Sequence, residues 1–470
     1  MASETTARTE LLVIGAGPGG YVAAIRGGQL GLDVTLVEKG AVGGVCLNHG
    51  CIPSKAMVSA TDLAHEAGDA AEMGVYADPA VDLERLVEWK DDVVDRLTGG
   101  VEQLCRANGV EVVEGRAAFP DDSTVRIHDG GADAPDRVAF DDAVVATGSR
   151  PVSVPGFDFG DEPVWSSRDA LAAESVPDRL VVIGAGYIGM ELSAVYAKLG
   201  SDVTVVEMLD GVLPAYEDDV GAIVRERAEE LGIDFNFGEA AAGWEESGDG
   251  VTVATETESG ERHEYAADRV LVAVGREPVT DALDLSAAGV ETDEDGFVET
   301  AANGQTAVES VYAVGDVAGE PMLAHAASTE GILAAHVAAG EADDPGDWIV
   351  PSAVFTDPVV AIVGMTAEGA EAVGFDPLVE EMPLSASGRA LTMDETAGFV
   401  RVVAASDGAL LGAQVVGPEA SELVAELAVA IRQRATLEDL AGTIHVHPTL
   451  SEAVMEAAEQ ALGQAIHTTN

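Results

Sequence analysis

Two apolar runs along the chain open into glycine-rich turns and repeat one another. LLVIGAGPGG at residues 11–20 is matched by LVVIGAGYIG at 180–189. Each copy continues into a helical stretch and a second apolar run, LGLDVTLVE at 30–38 and LGSDVTVVE at 199–207, which agree at seven positions of nine. The pattern predicts a strand, a glycine turn, a helix and a second strand in each copy. We therefore expect an α/β chain with two Rossmann-like units.

The two copies also share the spacing that a dinucleotide site requires. An acid follows the first glycine of the turn by 23 positions in both, at Glu38 and at Glu207. Glycines let the backbone approach a pyrophosphate, the helix amino terminus attracts its charge, and the carboxylate accepts hydrogen bonds from a ribose diol. The alternative is two glycine turns without ligands. The glycines concerned are Gly15, Gly17 and Gly20 in the first copy and Gly184, Gly186 and Gly189 in the second.

Three further apolar segments end in turns that we expect beside the cofactors, although each could be merely the end of a strand. VVATGSRP at 144–151 carries Thr147 and Gly148, and VLVAVGREP at 270–278 carries Gly275. SVYAVGDVAG at 310–319 presents Asp316 directly after a strand.

The carboxyl-terminal quarter of the chain has a different pattern. Apolar strands alternate with turns from WIVPSAVFTDPVVAIVG onward, and helical stretches follow. This order is typical of an α+β domain with an antiparallel sheet. We expect four parts, namely an FAD-binding domain, an NAD-binding domain, a central segment completing the FAD site and a dimerisation domain, at 1–150, 151–270, 271–345 and 346–470.

The charge balance narrows the choice of partners. The chain has 24 basic and 84 acidic residues, for a net charge of −60. Such a surface repels nucleic acid and anionic membranes. An acidic, lysine-poor but apolar-rich chain fits a cytoplasm at very high salt, where counterions screen self-repulsion; an ordinary acidic enzyme is the alternative. The sequence has no apolar stretch of membrane-spanning length, and MASETTARTE does not resemble a secretion signal, so we expect a cytoplasmic protein.

Redox chemistry is indicated by the segment GAVGGVCLNHGCIPSK at 40–55, which follows the first nucleotide motif. Cys46 and Cys51 could close a disulfide where the backbone bends into a helix, and Lys55 follows Cys51 by one turn. A dithiol exchanges electrons with NAD through a flavin, so we expect FAD at the first site and NAD at the second. Glu207 favours NAD over NADP, because a carboxylate repels a 2′-phosphate. A structural cysteine pair is the alternative.

The remaining candidates are a base near the carboxyl terminus and the third cysteine. In HVHPTLSE, His447 and Glu452 could form a base and its orienting acid. Glu452 could instead only cap a helix with Thr449, and His447 could be a turn residue. Cys105 is expected to be a packed apolar residue, and no metal site is expected.

These motifs together resemble the pyridine nucleotide–disulfide oxidoreductase family, along nearly the whole chain. The cysteine segment with IPSK is the most specific element, HVHPTLSE supports it, and ASGRA at 386–390 resembles the lipoyl-specific branch. The resemblance implies oxidation of dihydrolipoyl groups through Cys46–Cys51 and FAD to NAD. It also implies an obligate homodimer, because the family's base serves the other subunit's disulfide. The implied partner is the lipoyl domain of a 2-oxoacid dehydrogenase complex or of a glycine cleavage system.

The resemblance assigns individual roles by position. Cys46 resembles the thiol that exchanges with substrate and Cys51 the thiol that contacts the flavin. The other implied roles are an ion pair of Lys55 with Glu191 beside the flavin, a nicotinamide gate at Tyr187, a ribityl ligand at Asp316, a flavin-lining segment from Met322 through Ala324 to His325, and a base and orienter at His447 and Glu452.

Other functions remain open. Another NAD-linked, FAD-dependent disulfide reductase of the same family would share most of these motifs. A glutathione reductase-like enzyme would require NADP-binding arginines, which residues 207–211 lack. A mercuric reductase or large thioredoxin reductase would require additional cysteines near the carboxyl terminus, where GQAIHTTN has none. A non-catalytic, redox-sensing flavoprotein would bind FAD without turnover. His49, between the cysteines, departs from the family's usual small apolar residue.

Overall fold

The computed structural model describes residues 5–132, 134–160, 162–248, 250–341 and 346–468. The first four residues of the amino-terminal segment and the expected boundary at residue 345 lie outside these ranges. The described chain forms two compact units. Unit 1 consists of residues 1–176 and 273–346, and unit 2 of residues 177–272 and 347–470. The four-part division of the chain stays a prediction.

Helices and strands are numbered in chain order. The strands are β1 (Thr6–Ile14), β2 (Val34–Glu38), β3 (Glu111–Glu114), β4 (Arg116–Ala118), β5 (Thr124–His128), β6 (Arg137–Val145), β7 (Ser149–Pro151), β8 (Val164–Trp165), β9 (Arg179–Ile183), β10 (Asp202–Glu207), β11 (Asp234–Phe237), β12 (Glu239–Ser247), β13 (Gly250–Thr257), β14 (Arg262–Ala267), β15 (Arg269–Val272), β16 (Arg276–Pro278), β17 (Val311–Ala313), β18 (Ser352–Val354), β19 (Val360–Gly364), β20 (Leu378–Pro383), β21 (Phe399–Ala404) and β22 (Leu410–Val416).

The helices are α1 (Pro18–Gln29), α2 (Gly44–His49), α3 (Cys51–Asp69), α4 (Leu83–Ala107), α5 (Ser167–Leu171), α6 (Tyr187–Lys198), α7 (Asp218–Glu230), α8 (Leu285–Ala288), α9 (Ala324–Ala338), α10 (Ala367–Ala372), α11 (Gly388–Met393), α12 (Ala420–Arg432), α13 (Leu437–Ala441) and α14 (Glu452–Ala461). Two short 3-10 helices are η1 (Gly315–Val317) and η2 (Leu384–Ala386).

Unit 1 is built on a sheet of seven strands. Its order is β3-β2-β1-β6-β5-β4, with β17 also paired to β6. The strands β3, β2, β1, β6 and β17 run parallel, whereas β5 and β4 add on antiparallel. The last four residues of β1, Leu11 to Ile14, are buried, as expected for a parallel strand covered on both faces.

The covering helices α1 and α9 of unit 1 approach closely at two glycines. A Cβ added to Gly331 would lie 2.3 Å from the carbonyl oxygen of Gly19. Only a residue without a side chain therefore permits this packing. The contact holds α9 against the helix that follows the first glycine turn.

Unit 2 repeats the parallel arrangement and adds two antiparallel sheets. The strands β11, β10, β9 and β15 lie side by side in parallel, and β12, β13 and β14 form a meander. The carboxyl-terminal sheet has the order β18-β19-β22-β21-β20. Fully buried side chains of Val402, Val415, Leu427 and Val454 join this sheet to α12 and α14. The predicted fold class, two Rossmann-like units with a carboxyl-terminal α+β part, is confirmed.

Candidate functional site

The first glycine of each turn has the same positive-φ backbone conformation. Gly15 has φ +99° and Gly184 has φ +107°, a region that favours glycine. A Cβ on Gly20 would lie 1.8 Å from the carbonyl oxygen of Gly15, and one on Gly189 would lie 2.0 Å from that of Gly184. These four glycines are therefore required by the close packing of each helix on its strand.

The middle glycine of each turn faces open space instead. A Cβ on Gly17 or Gly186 would meet no atom within 4 Å. Each residue is the N-cap of the following helix, α1 or α6, without a side-chain cap. A helix amino terminus with uncapped amides beside an open cradle suits a pyrophosphate. The residues present thus fit a dinucleotide in each unit.

The acid that ends the second strand has the same contacts in both units. Oε2 of Glu38 accepts the Ala16 amide at 2.6 Å, and Oε1 accepts the Gly40 amide at 2.8 Å. Glu207 accepts from Ala185 at 2.7 Å and from Leu209 at 2.8 Å. A carboxylate offers about four acceptor positions, so capacity remains for a ribose diol. The backbone fixes both carboxylates before any ligand binds.

The cysteine pair lies where two helices of unit 1 meet. Cys46 is in α2, and Cys51 is the first residue of α3, with Gly50 between the helices. The side chains of Cys46 and Cys51 hydrogen bond to each other. The amino terminus of α3 favours negative charge at Cys51. Cys105 is fully buried in α4, inside the core.

The surroundings of Cys46 oppose its ionisation. The hydrogen bond with Cys51 and burial raise the pKa of the Cys46 thiol, and the carboxylate of Asp316 adds to the rise. The ammonium of Lys55 acts the other way and lowers that pKa. Ionisation of the Cys46 thiol is therefore disfavoured in these surroundings.

Asp316 is fixed by residues that sequence reasoning did not single out. It lies in η1, and its Oδ2 accepts a hydrogen bond from the hydroxyl of Ser149, a buried residue. The side chain of Arg276 donates to the same Ser149. Glu330 on α9 accepts the Gly315 amide at 2.6 Å. An acid within an apolar helix, in STEGILAAH, is the sequence signal that could have pointed to Glu330.

Other residues expected at the first nucleotide site also lie in unit 1. Thr147 Oγ1 donates to the Val279 carbonyl at 2.7 Å, Gly148 has φ +70°, and Ala324 is the first residue of α9. Gly275, which was expected at the second nucleotide site, belongs to unit 1 as well.

Glu191 is a buried acid of α6 in unit 2. Its Oε1 accepts the Phe355 amide at 2.9 Å. Tyr187, the expected gate, is the first residue of the same helix, and its side chain is exposed. Lys55 belongs to unit 1, so the pairing of Lys55 with Glu191 stays a prediction.

His447 and Glu452 form a hydrogen-bonded pair in unit 2. Nδ1 of His447 lies 2.9 Å from Oε1 of Glu452, and the histidine side chain is 80% exposed. His445 differs, because its side chain is only 6% exposed and its ring nitrogens contact Glu426 and the Thr443 carbonyl. An exposed imidazole with one nitrogen anchored can exchange protons with a ligand through the other.

Two kinds of feature are absent from the part of the chain that the structure describes. No group of three or more histidine, cysteine or acidic side chains there has metal-binding geometry. Within the same residues, no helix is long and apolar enough to cross a membrane.

These features together are typical of flavoprotein disulfide reductases. They are two dinucleotide-binding glycine turns, a cysteine pair next to the first turn, and a histidine–glutamate pair. The chain belongs to the pyridine nucleotide-disulphide oxidoreductase family, whose model matches residues 9–331; the model of the family's dimerisation domain matches residues 350–458. The family resemblance expected from the motifs is thus confirmed.

The relatives make the comparison more specific. Dihydrolipoyl dehydrogenase of Haloferax volcanii is 63% identical over 98% of both chains, and dihydrolipoyl dehydrogenase 2 of Haloarcula marismortui is 62% identical over the full length of both. These relatives come from haloarchaea, which supports the prediction of a halophilic origin. Among solved structures, LpdA from Mycobacterium tuberculosis has a TM-score of 0.88 at 28% identity and covers 97% of this chain and 99% of its own.

Proposed function

We propose that this chain oxidises protein-bound dihydrolipoyl groups to lipoyl groups, with NAD as the final electron acceptor. The observation that carries the proposal is the cysteine pair of α2 and α3 in a chain whose relatives at 63% and 62% identity are dihydrolipoyl dehydrogenases. A bacterial relative with the same name, from Geobacillus stearothermophilus, is 46% identical over 98% of this chain.

FAD is the proposed cofactor of unit 1 and NAD that of unit 2. In unit 1 the cradle at Gly17 would take the pyrophosphate, Glu38 the ribose and Asp316 the ribityl chain. In unit 2 the cradle at Gly186 and the carboxylate of Glu207 would hold NAD. When bound, FAD supplies two-electron transfer between a dithiol and NAD.

The thiol chemistry follows from the charge distribution around the cysteines. In the oxidised enzyme, one thiol of the substrate loses its proton to His447, and its sulfur attacks Cys46, breaking the Cys46–Cys51 bond and forming a mixed disulfide. Cys51 leaves as the thiolate, which the amino terminus of α3 favours. The second substrate thiol then displaces Cys46, and its proton passes to the departing Cys46 sulfur. Lipoyl is released, and the enzyme holds Cys46 as the thiol, Cys51 as the thiolate and the first proton on His447.

His447 and Glu452 are the proposed base and its orienter. Burial raises the pKa of Glu452, but the Thr449 amide and His447 outweigh that effect, so the carboxyl pKa lies below its usual range. A carboxylate ionised under all working conditions fixes the imidazole tautomer, with the proton on Nδ1 and the acceptor at Nε2. Nε2 is then ready to take a thiol proton.

The unit of function is proposed to be a homodimer, in which His447 of one copy serves the cysteine pair of the other. The match to the family's dimerisation domain supports this arrangement. Candidate electron donors are lipoyl domains of a 2-oxoacid dehydrogenase complex or a glycine cleavage system. The acidic composition fits a cytoplasm at high salt, where we propose that the protein works.

The test compares two substrate pairs on the same FAD-loaded protein in molar KCl. Reduction of NAD by dihydrolipoamide is expected at turnover rates, whereas glutathione disulfide with NADPH should give a rate close to the blank. The reverse preference would reject the proposal. Flavin-loaded protein that showed neither activity would favour a non-catalytic flavoprotein.

A further inference from the structure

We propose that Arg276 is a positioning residue that fixes the flavin ligand Asp316 through Ser149. This inference rests on the proposed function, since it assumes that Asp316 holds the ribityl chain of FAD. It adds a residue for which neither the motifs nor the comparisons give a role. All three side chains belong to unit 1.

The contacts run in one direction, from the cation to the carboxylate. Nε of Arg276 donates to the Ser149 hydroxyl oxygen at 2.7 Å, and Nη2 donates to the Ser149 carbonyl at 2.8 Å. The Ser149 hydroxyl in turn donates to Oδ2 of Asp316. Ser149 is 5% exposed, so water has little access to its hydroxyl.

The chemistry of these groups leaves a single arrangement of protons. A guanidinium can only donate, so the hydroxyl of Ser149 must accept from Arg276. Its own proton is then committed to Asp316, which is held as an acceptor. Oδ1 of Asp316 keeps its lone pairs for a ligand hydroxyl. The cation thus orients the carboxylate without touching it.

The backbone around Arg276 makes the connection rigid. β16, which carries Arg276, pairs antiparallel with β7, which carries Ser149. The amide of Val152 donates to the Gly275 carbonyl at 3.1 Å, and the amide of Val279 donates to the Gly148 carbonyl at 2.9 Å. Arg276 therefore reaches Ser149 from a neighbouring strand whose register is fixed on both sides.

The other side of Asp316 is held separately. Glu330 accepts the Gly315 amide, and Gly315 has φ +72°. That bond fixes the backbone of η1, whereas Ser149 and Arg276 fix the side chain. Loss of Arg276 should therefore release the carboxylate and leave the turn in place.

The same two strands supply a matched control. Arg150 of β7 pairs with Glu277 of β16 at 2.6 Å and with Asp281 at 2.9 Å. Like Arg276, Arg150 links β7 to β16 through its side chain. That side chain contacts neither the Ser149 side chain nor Asp316, so its replacement leaves both in place. A purely structural role for Arg276 predicts that the two arginine variants behave alike.

The experiment titrates apoprotein with FAD in molar KCl and follows flavin fluorescence. Arg276→Gln and Ser149→Ala should each raise the FAD Kd roughly tenfold, as expected for one hydrogen bond to a charged group. The double variant should bind FAD no more weakly than the weaker-binding single variant, because both changes break the same chain of contacts. Arg276→Lys should recover part of the affinity, and Arg150→Gln should stay within about twofold of the wild type.

Equal Kd values for Arg276→Gln and Arg150→Gln, or additive effects in the double variant, would overturn the inference. Ser149→Ala keeps the test decisive if Arg276→Gln does not fold, since a wild-type Kd for that variant contradicts the proposal. The titration needs no substrate, so absence of dihydrolipoamide turnover would reject the proposed activity and not this inference. A wild type that bound no FAD would reject both.

Discussion

Glu452 shows how one side chain can combine a proposed catalytic role with a structural one. Its Oε1 contacts His447, and its Oε2 accepts the Thr449 amide at 2.9 Å. One oxygen thus contacts the histidine, and the other fixes the backbone just before α14. The Thr449–Glu452 capping box considered from the sequence does not form, because the N-cap of α14 is Ser451 and the Thr449 hydroxyl donates to the Val446 carbonyl.

Replacing His447 should impair oxidation of the dithiol substrate but not electron transfer between NADH and the flavin. His447→Gln should lower the rate of NAD reduction by dihydrolipoamide about 100-fold or more, because the thiol loses its base. Electron transfer from NADH to ferricyanide, which needs no thiol exchange, should change little. His445→Gln is the matched control and should lower stability more than turnover. Equal losses of turnover in the two variants would contradict the role of His447.

Because of Asp142 on β6, the free energy of unfolding should fall as the pH rises from acidic to neutral. Burial, aided by the charges of Asp141 and Glu309, raises the pKa of Asp142 to about 6. Since this folded-state pKa lies above the ordinary value, the stabilising contribution is present below the ordinary pKa and is lost as pH rises through about 6. Asp142→Asn should therefore stabilise the protein at pH 8 by on the order of 1 kcal/mol, discounted for partial exposure.

Guanidinium unfolding of Asp142→Asn at pH 8 and pH 5 measures this effect, with the exposed Asp122→Asn as the control for net charge. A gain that is equal at both pH values, or equal in both variants, would show that burial of Asp142 is not the cause.

At the scale of elements, the meander β12–β14 is organised by a buried acid. Glu239 is 5% exposed and accepts from Thr255, from Tyr265 at 2.9 Å and from His263 at 2.5 Å. The hydrogen bond with Glu239, followed by that with Glu261, raises the pKa of His263. One acid of β12 thus ties together all three strands of the meander.

This arrangement predicts a pH-dependent cost for losing His263. Its contribution is full below the ordinary histidine pKa and is lost as pH rises through the raised folded-state value. His263→Gln should consequently lower the thermal midpoint more at pH 6 than at pH 9. Thr255→Val removes an uncharged donor to the same carboxylate and should cost a similar amount at both pH values. A pH-independent loss in His263→Gln would contradict the ion pair.

The elements that sequence could predict are those defined by local spacing. The strand, glycine turn, helix and acid recur at a constant offset, so Glu38 and Glu207 were expected at equivalent positions, where the structure places them. The link between Ser149 and Arg276 joins residues 127 positions apart, and no local pattern carries such a contact. Gly275 belongs to unit 1, next to β16, which pairs with the distant strand β7. This placement could not be predicted from local sequence either.

Over the whole molecule, charge is the dominant feature. The net charge is −60, and only four lysines remain. The side chains of two of them are buried and bonded, since Lys90 donates to the Leu171 carbonyl at 2.7 Å and Lys198 pairs with Asp357 at 2.7 Å. These two lysines therefore occupy positions that the fold uses, in a chain with 84 acidic residues.

Stability should therefore depend strongly on salt. The screening length falls from about 10 Å at 0.1 M to about 3 Å at 1 M, so molar KCl removes most of the repulsion between surface carboxylates. The thermal midpoint and the rate of NAD reduction by dihydrolipoamide should both rise as KCl is increased from about 0.1 M to about 2 M, where surface charges are screened. Sucrose, which does not screen charge, should not substitute for KCl. Full stability in dilute buffer would refute adaptation to high salt.

The central claim, that electrons pass through the Cys46–Cys51 pair, is tested most directly by Cys51→Ser. The FAD-loaded variant in molar KCl is assayed for NAD reduction by dihydrolipoamide, with Cys105→Ser as the matched control. The account predicts loss of this activity in Cys51→Ser and near wild-type activity in Cys105→Ser. A Cys51→Ser protein that still reduced NAD with dihydrolipoamide would contradict it.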